Sequence, residues 1–295
     1  MLSTKPFKMN LILFFFIFLM ISTGCLKTNN METSTYTNNN AQVIYNNTQV
    51  INKELQDSTL KVEKPLIYND KGIPVLMYHS INYEKGNELM VPKENFREQM
   101  NYLKDNGYTT LTLNELYNFF LNNKPVPEKS VVITFDDGYK DNYTNAYPIL
   151  KEFNFKAVVF VITNNMNNHK NFITSEQALE LDNNGIEIQS HTVNHERLST
   201  LDYNSQLKTL KESKRFLENL LHREVSYIAY PYGAFNNSTI KAAEEAGYKM
   251  AFTTAGTWSD KSDGLYTLDR VYISSKFDMN EFHRRLTNRN YKQKN

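Results

Sequence analysis

The sequence of 295 residues has one cysteine, almost no net charge and no apolar run of membrane-spanning length. Because Cys25 is alone, the chain cannot form an internal disulfide. The 33 basic and 32 acidic residues nearly cancel and no basic patch dominates, which argues against a nucleic-acid partner. The apolar run at residues 11–21 is too short for a comfortable membrane span.

That apolar run instead has the features of a signal peptide. It follows Lys5 and Lys8 and has the length of an h-region. Cys25 comes soon afterwards, and its position resembles the lipobox of bacterial lipoproteins, where the cysteine becomes the lipidated N-terminus. Ser22 differs from the aliphatic residue that is usual three positions before that cysteine. The resemblance predicts a lipoprotein signal peptide over residues 1–24 and an extracytoplasmic protein anchored to the membrane through lipidated Cys25. An uncleaved anchor and simple secretion are the alternatives.

The next segment has the composition of a tether. Without the leader the chain carries 31 basic against 32 acidic residues, so no charge surplus appears in the mature protein. Residues 26–63 are rich in Asn, Thr and Gln and show no clear period, which is typical of a disordered segment. We predict a tether over residues 25–70 and a single catalytic domain over residues 71–295.

Within that domain, candidate strands and helices alternate. Apolar segments predict eight strands, at residues 73–78, 109–111, 131–135, 157–162, 186–189, 225–230, 249–253 and 268–273. Amphipathic helices lie between them, and Ser175 is predicted to cap one of these. We predict an α/β fold, a distorted or incomplete (β/α) barrel, because 225 residues are slightly few for a regular barrel of about 250. An open doubly wound sheet is the alternative.

Polar residues follow several of these strands. The strand at residues 131–135 stops at Asp136-Asp137-Gly138, and burying two neighbouring carboxylates is costly unless a cation, a proton or a catalytic task compensates. His191 and His195 follow another apolar run at a spacing that suits a divalent metal. Since the carboxyl ends of parallel strands meet at one end of a barrel, these groups are predicted to form one metal site.

The segment Tyr230-Pro231-Tyr232-Gly233 also follows a predicted strand. We expect it to reach the same end of the barrel, where the backbone N–H of Tyr232 can point at a substrate oxygen opposite the metal. Tyr230, Pro231 and Trp258 are predicted to contact the substrate, the two aromatic side chains offering flat faces to sugar rings. Buried packing is the alternative for Trp258.

Three of these motifs together resemble the NodB-homology polysaccharide deacetylases, carbohydrate esterase family 4. The matching residues are Thr134-Phe135-Asp136-Asp137-Gly138, His191-Thr192-Val193-Asn194-His195 and Pro231-Tyr232-Gly233. The opening Pro74-Val75-Leu76-Met77-Tyr78-His79 is similar to that of the branch that deacetylates poly-β-1,6-N-acetylglucosamine in biofilms. The resemblance covers residues 73–273 and implies the NodB-homology type of barrel.

The resemblance assigns roles to the motif residues. It implies that Asp137, His191 and His195 hold the metal and that Asp136 is the catalytic base. Zinc is the expected metal, with cobalt, nickel and iron as alternatives, because a His₂Asp set suits a divalent cation that activates water for amide hydrolysis. Two departures stand out. Ala229 occupies the place of a usual arginine, so Asp136 is predicted to lack a positive neighbour, and Leu268-Asp269-Arg270 lacks the usual late histidine.

His79 is therefore the predicted general acid. A departing amine needs a proton, and histidine titrates in the useful range. Of the histidines outside the metal motif, His79 alone follows an apolar strand, and the biofilm branch is similar in placing its acid in an N-terminal Tyr-His. The sequence thus predicts a metal-dependent enzyme that removes N-acetyl groups from an N-acetylglucosamine polymer, most simply exopolysaccharide. Peptidoglycan as substrate and a sugar-binding or assembly protein without turnover are the alternatives.

Overall fold

The computed structural model describes residues 64–292, which belong to one compact unit, Glu63–Asn295. The predicted leader, Cys25 and most of the predicted tether lie outside the described residues. Within residues 64–292, no helix is long and apolar enough to cross a bilayer. A short strand, β1 (Leu66–Ile67), pairs antiparallel with β4 (Val126–Pro127). This pairing includes residues that lie before the predicted domain boundary at position 71.

Eight further strands form a parallel sheet, and each corresponds to one of the eight predicted segments. They are β2 (Val75–Tyr78), β3 (Thr109–Thr110), β5 (Ser130–Phe135), β6 (Ala157–Val161), β7 (Ile186–Ser190), β8 (Tyr227–Ala229), β9 (Met250–Phe252) and β10 (Val271–Tyr272). Their order is β10-β2-β5-β6-β7-β8-β9, with β3 beside β5. All the ladders between them are parallel.

Helices connect the strands and pack against the sheet. They are α1 (Lys93–Asp105), α2 (Leu113–Asn122), α3 (Tyr147–Phe153), α4 (Ser175–Asn183), α5 (Tyr203–Leu221), α6 (Asn237–Glu245) and α7 (Met279–Thr287). The predicted cap of α4 is wrong by one residue. Thr174 takes the extended backbone of an N-cap, and its hydroxyl accepts the N–H of Gln177 at 3.2 Å, so Ser175 is the first helical residue.

The strands bury both of their faces, as their nearly continuous apolar sequences predict. Successive side chains of β5 point to opposite sides of the sheet. Val131, Ile133 and Phe135 belong to the core between the sheet and the helices. Val132 belongs to a second core, inside the curled sheet, with residues such as Phe160. By the same alternation, Asp136 continues the inner row of β5.

The sheet curls into an incomplete barrel, and this prediction is confirmed. Strands β9 and β10 are the last members of the strand order. Within the described residues, β9 and β10 share no ladder, and an isolated bridge between Phe252 and Leu268 connects β9 to the segment that leads into β10. Because all the strands run in the same direction, their carboxyl ends lie at one end of this half-barrel, where α/β folds place their sites.

Candidate metal centre and active site

Asp137, His191 and His195 converge at the carboxyl ends of β5 and β7. Nε2 of His191 lies 3.4 Å from Oδ1 of Asp137, and Nε2 of His195 lies 3.3 Å from the same oxygen. One ligand atom from each residue lies within 4.8 Å of the other two. The geometry therefore brings together the three predicted metal ligands.

The carbonyl oxygen of Ala229, at the end of β8, fixes the orientation of His191. It lies 2.8 Å from Nδ1 of His191, and because a carbonyl can only accept, Nδ1 carries the hydrogen. Nε2 of a neutral His191 then presents its lone pair to Asp137. Metal-binding histidines commonly use this arrangement, in which the second ring nitrogen donates to a carbonyl.

The donor set fits a divalent cation. Oδ1 of Asp137 is buried and has no hydrogen-bond donor among the described residues, although two imidazole nitrogens face it. Such convergence of acceptors at one point is costly unless a cation or a proton lies among them. Burial alone would raise the pKa of Asp137, but hydrogen bonds from the imidazoles of His191 and His195, when these are protonated, outweigh burial and lower it. A positive charge at this point, a proton or a metal cation, thus keeps the carboxylate ionised.

Backbone strain is concentrated in the segments that carry these groups. Asp137 and His195 have positive φ values of 73° and 61°, and Thr192 and Tyr232 have values of 68° and 60°. Residues other than glycine rarely adopt this region, and each such residue costs of order 1–3 kcal/mol when the surroundings impose it. The fold therefore maintains unfavourable backbone conformations at this end of the sheet.

Asp136 has a positive neighbour, so the prediction that it lacks one is wrong. Both carboxylate oxygens of Asp136 accept hydrogen bonds from the guanidinium of Arg270, each at 2.7 Å. Arg270 is fully buried, and its Nε–H donates to the carbonyl oxygen of Thr253 at 2.9 Å. Burial acts to raise the pKa of Asp136, but the charge of Arg270 overcomes it and holds that pKa below the ordinary value.

The sequence contained a signal for this ion pair. Arg270 lies in the predicted strand at residues 268–273, two positions after the buried Leu268, and alternation in such a strand places the two side chains on the same side. A charged residue in a buried strand needs a partner. The missing arginine at Ala229 and this unexplained arginine together could have indicated that the positive charge comes from a different strand.

His79 follows β2 at the same end of the half-barrel. Its Nδ1 is buried and has no hydrogen-bond partner among the described residues. Burial is the main reason why its pKa is lowered from the ordinary value of 6.5, and the charges of Asp136 and Asp137 oppose that shift. His79 therefore lies within electrostatic reach of the carboxylate pair, as its predicted role requires.

Tyr232 and Tyr230 have opposite environments. Tyr232 is 52% exposed, and the centre of its ring lies 4.4 Å from that of His195, so the residue lies at the site. Tyr230 is fully buried and stacks on Phe235, so the prediction that its ring offers a face to a sugar is not supported by the geometry. Pro231, also predicted to contact substrate, is buried where the turn between them begins.

The structure places Trp258 at the opposite end of the sheet, which contradicts its predicted contact with substrate. The neighbouring Ser259 exchanges two backbone hydrogen bonds with Ile73, just before β2 begins. The indole N–H of Trp258 donates to the carbonyl oxygen of Arg285 at 2.8 Å. A six-residue strand such as β5 spans roughly 20 Å, so Trp258 lies far from the carboxyl ends of the strands.

The fold and the site define a class: an α/β half-barrel that presents an Asp-His-His set and a second, arginine-paired aspartate at its strand ends. Comparison with known proteins agrees with this class. The family profile described as polysaccharide deacetylase matches residues 123–251. YxkH of Bacillus subtilis (strain 168), provisionally named a polysaccharide deacetylase, is 43% identical over 227 residues, which cover 77% of this chain and 78% of YxkH.

Two further relatives extend the comparison. The structure of the Streptococcus pyogenes deacetylase PplD in complex with acetate has a TM-score of 0.70 and 33% identity, and the match covers 73% of this chain and 98% of PplD. The poly-β-1,6-N-acetyl-D-glucosamine N-deacetylase of Staphylococcus aureus (strain MSSA476) is 27% identical over 72% of this chain and 82% of that enzyme. The chain belongs to the polysaccharide deacetylase family, and it has the fold of the deacetylases in that family.

Proposed function

We propose that the protein is a metal-dependent enzyme that removes N-acetyl groups from a polymer of N-acetylglucosamine. The observation that carries this proposal is the convergence of Asp137, His191 and His195 beside Asp136. The deacetylases of this family are metal-dependent. A mixed set of two imidazoles and one carboxylate suits zinc, which we propose as the metal, and leaves room for water and a substrate oxygen.

Each residue of the site has a separate role in the proposed reaction. A divalent metal in this site would supply Lewis acidity and a nucleophile at neutral pH. Asp136, held ionised by Arg270, accepts the proton of the attacking water. The backbone N–H of Tyr232 is the proposed donor to the developing oxyanion. His79 donates the proton that the departing amine requires.

His79 as the acid has a consequence for the pH dependence. The imidazole acts only when protonated, and burial lowers its pKa below 6.5. The rate kcat/KM should therefore fall as the pH rises through that lowered pKa. His79→Ala should reduce deacetylation about 10²-fold or more and remove this alkaline limb. An unchanged rate in the variant would reject the assignment.

The proposed polymer is poly-β-1,6-N-acetylglucosamine, which is the substrate named for the Staphylococcus aureus relative. The resemblance of residues 74–79 to the same branch supports this choice. The site should then lie outside the cytoplasm. We propose that the apolar leader and lipidated Cys25 anchor the protein to the cell membrane.

Acetate release tests the choice of polymer. The full chain should release acetate from β-1,6-linked N-acetylglucosamine oligomers, and Asp136→Asn, which retains the metal ligands, is the matched inactive control. Faster release from glycan strands of peptidoglycan would assign the enzyme to the cell wall instead. If a metal-loaded protein bound both polymers but released no acetate from either, it would be a binding protein on a deacetylase fold.

A further inference from the structure

The two histidines of the proposed metal site are held in different ways. His191 is buried, and the carbonyl oxygen of Ala229 fixes its Nδ1. The side chain of His195 is 24% exposed, and its backbone has a positive φ of 61°. Within residues 64–292, no comparable hydrogen bond anchors Nδ1 of His195. Its ring must therefore be oriented by another contact.

Tyr232 and Arg197 provide that contact. The ring of Tyr232 lies 4.4 Å from the ring of His195, centre to centre, at an angle of 58°. The guanidinium carbon of Arg197 lies 4.4 Å from the centre of the Tyr232 ring, a cation–π distance. Arg197 forms no ion pair with any carboxylate in the described part of the chain. Within the described residues, the guanidinium of Arg197 is thus in contact with the ring of Tyr232 rather than with a carboxylate.

The backbone explains why these three side chains meet. Arg197 follows His195 by two positions, and its carbonyl oxygen accepts the N–H of Thr200 at the start of a short 3₁₀ turn. Tyr232 lies in the turn that follows a different strand, β8, and has a positive φ of 60° beside the loop that carries His195. The same loop therefore contacts Tyr232 twice, once through His195 and once through Arg197.

We propose that Arg197 is a positioning residue, which acts through Tyr232 to hold the imidazole of His195 with Nε2 toward Asp137. The inference rests on the proposed metal site. It predicts that removing the guanidinium loosens His195 and weakens metal binding, although the arginine itself does not touch the metal. A cation–π contact at an exposed position corresponds to a loss of affinity of about two- to fivefold.

The sign of this effect is diagnostic. A positive charge near a cation site repels the cation, so an arginine that acted only through its charge would weaken metal binding, and its removal would tighten it. A positioning role has the opposite sign. Measurement in about 0.5 M salt, where the Debye length is about 4 Å, suppresses the repulsion and isolates the contact with the ring.

The test is the affinity of the metal-stripped full chain for Zn²⁺, measured by competition with a chromophoric chelator. Arg197→Met should weaken binding about two- to fivefold while the urea unfolding midpoint of the stripped protein stays unchanged. Arg197→Lys, which keeps a cation, should recover most of the affinity. Arg215→Met is the matched control, because Arg215 is exposed and pairs with no carboxylate in the described residues, and it should leave the affinity unchanged.

A double-mutant cycle tests the route through the ring. In a Tyr232→Leu background, Arg197→Met should no longer weaken Zn²⁺ binding. Equal or tighter binding by Arg197→Met in the wild-type background would overturn the proposal and leave the metal site intact. The same weakening in both backgrounds would overturn the route through Tyr232. If the wild-type chain itself bound no Zn²⁺, this result would contradict the proposed metal site and function, on which the role of Arg197 rests.

Discussion

The two ends of the parallel sheet differ in whether their buried polar groups have hydrogen-bond partners. At the carboxyl end, several buried polar atoms lack a hydrogen-bond partner among the described residues, and nearby residues other than glycine have positive φ values. These atoms are Nδ1 of His79, Oδ1 of Asp137 and Oγ1 of Thr192. At the amino end, the indole of Trp258, the hydroxyl of Ser130 and the carboxyl of Glu187 all have partners.

This difference indicates that residues at the carboxyl end serve the chemistry and that residues at the amino end contribute mainly to the stability of the domain. Unpaired polar atoms and strained backbone persist only where the surrounding structure forces them, and three such atoms and four such residues lie at this end of the sheet. The amino-end groups named above have partners, and none of them is a predicted metal ligand. Substitutions at the carboxyl end should therefore mainly affect metal binding and turnover, and substitutions at the amino end should mainly affect the free energy of unfolding.

The largest expected effect is the loss of turnover in Asp136→Asn. The amide cannot accept the proton of the attacking water, so acetate release should fall by about 10²- to 10⁴-fold. Metal stoichiometry should stay near that of the wild type, because Asp136 is not one of the three converging ligands. A variant that retained near-normal turnover would move the base elsewhere.

Arg270→Met is an expected exception to this division between the two ends. It should lower both the turnover and the free energy of unfolding. It leaves the buried carboxylate of Asp136 without its partner, which typically costs about 3–5 kcal/mol of unfolding free energy. Urea unfolding should show this loss, and it should be smaller when Arg270→Met is combined with Asp136→Asn, since neither charge of the pair then remains. Additive losses in the double variant would contradict the pairing.

Trp258→Ala tests the comparison at the amino end of the sheet. The variant loses the packing of a partly buried indole and one hydrogen bond, so unfolding should become easier by about 2 kcal/mol. Its KM for oligosaccharide should be unchanged, because Trp258 lies away from the strand ends that carry the site. An increased KM with unchanged stability would restore the original sequence-based prediction.

The smallest expected effect is the pH dependence of stability at Glu187. Burial raises the pKa of this carboxyl, so the folded state holds the proton more tightly than the unfolded state. The resulting stability is present below the ordinary value of 4.5 and is lost as the pH rises through the raised pKa. Relative to wild type, Glu187→Gln should therefore be more stable at pH 7 than at pH 4 in urea unfolding.

Glu176→Gln is the control with the opposite sign. Glu176 lies in the first turn of α4, where backbone hydrogen bonds lower its pKa. Its contribution is present above the ordinary value and is lost on acidification, so this variant should be relatively less stable at pH 7 than at pH 4. Parallel behaviour of the two variants would contradict the assigned causes.

Much of this architecture was predictable because it depends on local patterns. The apolar runs of the strands predicted all eight parallel strands, and the rule that sites form at strand ends predicted the meeting of Asp137, His191 and His195. The partner of Asp136 was not predictable in this way. Arg270 is 134 positions away and reaches Asp136 through the interior of the half-barrel.

Two other errors have equally specific causes. Tyr230 was predicted to offer its ring to a sugar, but it remains in the core, and the ring exposed in this segment is that of Tyr232, where φ is positive. Trp258 was predicted to contact the substrate because its flat ring suits a sugar, yet its segment returns to pair with Ile73 at the opposite end. Both outcomes depend on a turn and a bridge that alternation of side chains does not reveal.

Metal dependence is the most direct test of the central claim that the carboxyl end holds a catalytic metal. Zn²⁺ should be added in steps to the chelator-stripped full chain while acetate release from N-acetylglucosamine oligomers is followed. Turnover should rise with metal and level off at about one equivalent, and His191→Ala should bind no tight equivalent and release no acetate. Full turnover by the stripped protein, or by His191→Ala without metal, would contradict the account.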